Sequence, residues 1–225
     1  MGQKEIFLNG EADNYLNRNK DYYQKENNFE EVSNLYKIYG KYIDSSMRVL
    51  EIGCCNGINL NYYKQTIGCE CHGIDLSEKA IEMGLKQYQG INLSVGSADD
   101  LEFPDEYFDV VIFGACLCWV DRALLAKVVS ETDRVLKDGG FLGISDFDVK
   151  IPRKRRYKHC EDVYTYKCDY VNIFTAFPHY TLVEKLNKKF EDSRYPFIID
   201  TSERFSSNIL FKNHEQGYYF EVEND

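Results

Sequence analysis

Two acids and a glycine turn carry the first chemistry in this sequence. Val49-Leu50-Glu51-Ile52-Gly53-Cys54-Cys55-Asn56-Gly57 reads as a buried strand, a turn bracketed by Gly53 and Gly57, and a helix start. At such a turn the backbone passes close to whatever fills the crevice at the strand ends. Asp75 ends the next apolar run, Cys71-His72-Gly73-Ile74-Asp75, at 75 − 51 = 24 residues from Glu51. An acid placed there can take ribose hydroxyls. The turn lacks the G-x-G-x-x-G of a dinucleotide site, because Cys55 stands at the second glycine position. Glu51 would repel a pyrophosphate and suits an ammonium.

This order resembles motifs I and II of the class I S-adenosylmethionine (SAM) methyltransferases, and the likeness runs from about Arg48 to Phe147. It implies SAM as cofactor. Glu51 and the turn Gly53, Cys54, Cys55, Asn56 and Gly57 would then serve the methionine end, and Asp75 with Leu76 the ribose. Ser97 and Ala98 match the adenine-lining positions best, with Asp99 as an alternative acceptor. Gly114 leaves room for the cofactor at the end of a central strand. Where amino-methylating DNA enzymes carry Asp/Asn-Pro-Pro-Tyr/Phe, this chain has Gly114-Ala115-Cys116-Leu117-Cys118-Trp119, which counts against a nucleobase acceptor. Two rivals stand beside this reading: a nicotinamide oxidoreductase, and a SAM-binding partner subunit without its own catalysis. The blandest reading is a turn that only packs a helix on a strand.

The elements that must position these residues follow from periodicity. Ile58 to Ile67 reads as a crossover helix, Ser77 caps a second over Glu78 to Tyr88, and Asp121 to Leu136 forms a third. Ile91–Val95, Val110–Gly114 and Phe141–Phe147 are strands, and the continuous apolar run Val110–Phe113 means burial on both faces. Strand-helix alternation predicts parallel strands with right-handed crossovers. The expected fold is α/β: a Rossmann-like, seven-stranded, mainly parallel sheet with helices on both faces and a closing antiparallel pair. Phe29–Ile43 is expected to be a helix packed against it, Thr181–Phe190 a last helix, and Arg194–Asp200 with Asn208–Lys212 the closing pair, which Gly217–Val222 extends or follows. Residues 1–28 divide off as an N-terminal segment, 29–147 as the cofactor-binding core and 148–225 as a substrate-recognition insertion with the closing elements, all in a single domain.

Two regions are candidates for the acceptor side. Tyr15 and Arg18 lie in a polar N-terminal segment that is either ordinary surface or a lid over the methionine end. After the fifth strand comes Arg153-Lys154-Arg155-Arg156, either a solvated face or a grip on an anionic part of the substrate. His159 is the first candidate for a general base and Asp169 the second, although a histidine satisfied by neighbours is the plain alternative. Tyr157, Tyr166, Tyr170 and Trp119 would shape the acceptor pocket, with Trp119 equally readable as packing. The segments Gly10–Asn19 and Tyr164–Tyr170 look like parts of bacterial surface-glycan methylases of the pseudaminic-acid-associated type. They imply a small, anionic or sugar-derived acceptor and O-methylation in surface-polysaccharide precursor synthesis.

Composition sets outer bounds. At 225 residues and 44% hydrophobic content, the chain can bury one sizeable core. A formal net charge of −10 argues against nucleic acid and anionic membrane as partners. Eight cysteines include no C-x-x-C pair, so no metal is expected. With no apolar run of membrane-spanning length and no signal-like start, the expected setting is the cytoplasm and the expected state a monomer or homodimer.

Overall fold

The computed structural model describes residues 2–23, 37–189 and 204–217. Most of the helix expected from Phe29, the strand over Arg194–Asp200 and most of Gly217–Val222 lie outside them. Nine strands are described: β1 Arg48–Ile52, β2 Glu70–Asp75, β3 Asn92–Val95, β4 Phe108–Gly114, β5 Leu136–Phe147, β6 Arg153–Arg156, β7 Tyr164–Lys167, β8 Tyr180–Lys189 and β9 Arg204–Lys212. The α-helices described are α1 Gln3–Ile6, α2 Ala12–Arg18, α3 Lys20–Tyr23, α4 Ile58–Thr66, α5 Glu78–Gln87, α6 Leu125–Val135, α7 Val171–Thr175 and α8 His214–Gly217.

Seven strands form one sheet in the order β3-β2-β1-β4-β5-β9-β8. From β3 to β5 the pairing is parallel, while β9 runs antiparallel to β5 and to β8. The expected architecture is therefore present. The strand order reverses between β1 and β4, which opens a crevice at the carboxyl ends of those strands.

Period-two alternation sorts the side chains into two cores. Leu50, Ile52, Val111 and Phe113 join Val128, Val129 and Val135 of α6 on one face. Val49, Val110 and Ile112 join Leu60 and Tyr63 of α4 and Ile81 of α5 on the other. The Ser77 hydroxyl accepts from the Ala80 N–H at 3.0 Å, so α5 starts with the expected cap.

One element differs in kind. Thr181–Phe190 reads as a helix in sequence, because Leu182 and Leu186 are four apart. It is strand β8, paired with β9 from Tyr180 opposite Lys212 to Lys189 opposite Arg204, with a bulge between Leu182 and Glu184. Ladder pairing with β9 overrides the weak helical spacing, and the β-branched Thr181 and Val183 suit an extended backbone. The basic run is also a strand: β6 pairs antiparallel with β7 in a separate hairpin.

Candidate active site

The β1–α4 turn is built by its glycines. Gly53 has φ +74°, and a Cβ there would stand 2.6 Å from the Cys116 Cβ. Gly57 caps α4 with φ +77°. The N–H groups of Gly53 and Cys54 both donate to the Ile74 carbonyl, at 2.8 and 3.0 Å, which ties the turn to β2.

Asp75 stands at the end of β2 with its carboxylate held from both sides. Cys55 N–H donates to Oδ2 and Ser77 N–H to Oδ1, each at 2.8 Å. Burial pushes this carboxyl above its ordinary range, against those backbone donors. Each oxygen keeps a lone pair for a further donor.

These groups open into a cleft of about 1010 Å³, counted out to its mouth. Tyr15, Gly53, Cys55, Asp75, Leu76, Ser97, Ala98, Asp99, Gly114 and Trp119 line it, as expected from sequence. The N-terminal segment forms its roof through Lys4, Phe7, Ala12, Tyr15 and Tyr23. Burial pushes the Tyr15 phenol up to about 12, so near neutrality it keeps its proton and can donate. Phe7 meets Trp119 with ring centroids 5.9 Å apart. The Gln3 side-chain amide donates to the carbonyls of Trp119 and Tyr164, at 2.6 and 2.9 Å, and accepts from Tyr164 N–H at 2.9 Å. Asp13 takes the Ser77 hydroxyl at 2.7 Å. The Lys4 ammonium reaches Asp99, which also accepts from the Ser97 hydroxyl. Burial works to raise the Asp99 carboxyl, but Lys4 and Ser97 outweigh it and hold it below the usual range.

Other expected residues stand elsewhere. Glu51 does not line the cleft. It alternates with Ile52, which does, and so faces the opposite side of β1, where Asn59 donates to its Oε1 at 2.8 Å. It is 1% exposed, its Oε2 has no hydrogen-bond partner among the described residues, and burial pushes its carboxyl up to about 8. Cys54 packs behind the turn with Leu60 and Tyr63. Asn56 donates to the Tyr23 carbonyl at 3.0 Å and to Gln87 at 2.8 Å, a latch between turn, roof and α5. Gly57 lies under Ile91 and Leu93. The Arg18 guanidinium is spent on Glu11 and, at 2.9 Å, on the Tyr157 hydroxyl.

The acceptor-side expectations divide similarly. His159 is exposed on the loop between β6 and β7, beside Tyr157, whose ring in turn meets Trp119 at 4.6 Å. Asp169 accepts from Val171 N–H at the start of α7 and lies 3.5 Å from Lys185. Neither lines the cleft. Tyr166 and Tyr170 stack on Arg122, whose guanidinium is bonded to the Leu117 and Val120 carbonyls. Arg153 and Arg156 are exposed on the hairpin. Sequence reading missed Lys4, Phe7, Cys116 and Asp121 among the lining residues. A lysine 95 residues from its acid leaves no spacing signal, although Ile6-Phe7-Leu8 is an apolar run in a polar segment.

Residues 50–144 match the family model of the methyltransferase domain. That stretch, under half of the chain, is similar to a methyltransferase domain. A phthiotriol/phenolphthiotriol dimycocerosates methyltransferase of Mycobacterium tuberculosis is 34% identical over 119 residues, 50% of this chain and 43% of that one. The chain thus spans under half the length of that relative. Among solved structures, a 1,6-didemethyltoxoflavin-N1-methyltransferase of Burkholderia thailandensis, with 1,6-didemethyltoxoflavin and S-adenosylhomocysteine bound, superposes with TM-score 0.67. It is 13% identical, over 93% of this chain and 87% of that one. A SAM-dependent methyltransferase of Methanosarcina mazei gives TM-score 0.61 at 19% identity, over 78% and 97%. These two share the fold. SAM is the cofactor of the methyltransferase domain, and the residues present fit it: a turn where Gly53 leaves no Cβ, an acid held ready at Asp75, and a mostly apolar cleft with polar groups at its ends. Among the described residues no helix is long and apolar enough to cross a membrane.

Proposed function

We propose that this protein transfers a methyl group from SAM to a small acceptor whose reacting end is uncharged, inside the cleft roofed by residues 2–23. The observation that carries this reading is Asp75, fixed by Cys55 N–H and Ser77 N–H at the edge of a glycine turn. A nicotinamide dinucleotide needs close backbone approach to two phosphates, which this turn, with Cys55 at the second glycine position, does not offer.

In this reading Asp75 takes the ribose hydroxyls, the Gly53–Cys55 backbone borders the methionine end, and Ala98 with Asp99 and Ser97 borders the adenine. Bound SAM supplies an activated methyl on a sulfonium. What the chain supplies is alignment and dryness. Gly53 and Gly114 leave space beside the strand ends, while Phe7, Tyr15 and Trp119 cover it. The role expected of Glu51 passes to buried support for the turn.

The charged residues of the lining are Lys4, Asp75, Asp99 and Asp121, and the Lys4 ammonium is already on Asp99. Such a cleft favours a neutral reacting end with a flat face for Trp119, and a sugar-derived alcohol fits that description. The short likenesses to surface-glycan methylases in Gly10–Asn19 and Tyr164–Tyr170 support the same class. Among the described residues no histidine lines the cleft, so His159 receives no proton-transfer role here.

Titration calorimetry with SAM, NAD and S-adenosylhomocysteine tests the cofactor, and turnover with a panel of sugar-derived alcohols tests the acceptor. Binding of NAD in preference to SAM would overturn the proposal. SAM binding without turnover by any acceptor would favour the partner-subunit alternative.

A further inference from the structure

The β6–β7 hairpin holds a charge that the methyl-transfer reading does not use. Between residues 150 and 163 stand Lys150, Arg153, Lys154, Arg155, Arg156 and Lys158, against Glu161 and Asp162 as the only acids. This is a local excess of four positive charges in a chain of net −10. All four β6 residues are exposed. Lys154 lies over the Tyr164 ring, 3.6 Å from its centroid. Among the described residues Arg153, Arg155 and Arg156 have no ion pair or side-chain hydrogen bond. Most other arginines of the described chain are committed: Arg18 to Glu11, Arg48 to Glu70, Arg134 to Glu131 and Arg204 to Asp148.

The hairpin stands at the rim of the cleft. Tyr157, which follows β6 directly, meets Trp119 of the cleft wall at 4.6 Å. Tyr164, which opens β7, is bonded through Gln3 to the Trp119 carbonyl. Arg153 and Arg155 are two apart on one strand, so they share one face of the ribbon with Cα atoms about 7 Å apart. Two guanidinium forks at that spacing suit adjacent anionic groups better than one carboxylate. Arg156 then points to the other face and lines, with Lys158 and His159, a shallow groove at the hairpin tip.

We propose that this hairpin binds the phosphate or pyrophosphate group of an acceptor whose uncharged end enters the cleft. The inference rests on the methyl-transfer reading for its acceptor, and it separates recognition from chemistry. An anion held outside the cleft neither meets Asp99 and Asp121 nor needs a cation beside the reacting atom. The phosphate chemistry has two sources, a soluble phosphorylated metabolite and a lipid headgroup.

The test compares wild type with the Arg153→Ala/Arg155→Ala/Arg156→Ala variant. These side chains are exposed, so the fold should survive. Probes are inorganic pyrophosphate, uridine diphosphate, and vesicles of phosphatidylcholine with or without phosphatidylglycerol. Wild type should bind pyrophosphate and uridine diphosphate in a salt-sensitive manner, and the variant should lose about tenfold or more in affinity. Phosphatidylglycerol vesicles binding alongside pyrophosphate, with the same loss, identify a lipid-borne phosphate. Absence of pyrophosphate binding, or equal binding by the variant, overturns the proposal, as does vesicle binding without pyrophosphate binding. SAM calorimetry on both proteins keeps the two readings apart. An unchanged SAM affinity in the variant places any loss on the hairpin, whereas a wild type that binds pyrophosphate and not SAM fails only the methyl-transfer reading.

Discussion

Lys4 closes on Asp99 with its ammonium 2.7 Å from one carboxylate oxygen and 2.9 Å from the other. The contact joins the roof to the loop after β3 across 95 residues, and Asp99 is nearly buried. Replacing Lys4 by Met leaves that acid with Ser97 alone. The expected outcome is faster proteolytic cleavage within residues 2–23 and weaker SAM binding by a few-fold, since a partly exposed pair contributes about 1 kcal/mol. Because Asp99 is held below the unfolded value near 3.9, its contribution is present above that pH and disappears as pH falls through the lower folded value. Acid should therefore loosen the roof of wild type, and Lys4→Met should lack that part of the acid response. Limited proteolysis against pH checks both.

Glu51 predicts the opposite pH dependence. Its folded value of about 8 lies far above the unfolded value near 4.3. Between them the folded state binds more protons, so stability is greatest below about pH 4 from this group and falls as pH rises toward 8. Glu51→Gln keeps the shape and the Asn59 bond without the buried charge. The variant should be more stable than wild type at pH 8, by an amount on the order of a few kcal/mol, with the difference shrinking at pH 5. Chemical denaturation at the two pH values measures this. SAM affinity should change little, because the side chain stands behind the cleft wall; a large loss would return Glu51 to the cofactor's ammonium.

These two residues show how legibility was distributed. The sheet was readable because burial on both faces leaves a continuous apolar run at Val110–Phe113 and one broken only by Glu51 at Val49–Ile52, punctuated by glycine. The turn and Asp75 were readable because their spacing along the chain is the spacing of the site. Glu51 was legible as an acid but not as to which face it takes, which depends on a register one residue long. Strand β8 was lost because its extended form is fixed by ladder pairing with β9, which local spacing does not report, and Leu182 and Leu186 mimic a helical stripe. Lys4, Gln3 and Phe7 were invisible as site residues because only the folded chain brings the N-terminus over the cleft.

Asp75 carries the cofactor proposal, and Asp75→Asn tests it with nearly unchanged volume. An amide presents one NH₂ where the carboxylate accepts, so either the Cys55 N–H or the Ser77 N–H loses its acceptor. Losing charge-assisted hydrogen bonds of about 1.5–3 kcal/mol should weaken SAM binding roughly ten- to a hundredfold. Calorimetry decides: affinity within twofold of wild type would remove Asp75 from the cofactor site.

His159 gives the sharpest contrast between residue type and position. By type it is the natural base. By position it is exposed on the hairpin loop, and Tyr157 stands between it and Trp119. A base must come within hydrogen-bond reach of the proton it takes, about 3 Å or one water away. His159→Ala should therefore leave kcat for the true acceptor within about twofold and leave SAM affinity unchanged. Tyr157→Ala should act differently, because it removes an edge contact from Trp119 and the hydroxyl bonded to Arg18. Its effect should fall on acceptor KM and on roof stability, and little on SAM affinity. A kcat loss of a hundredfold in His159→Ala, with KM intact, would mean that the hairpin closes over the cleft during turnover and delivers the imidazole to the acceptor.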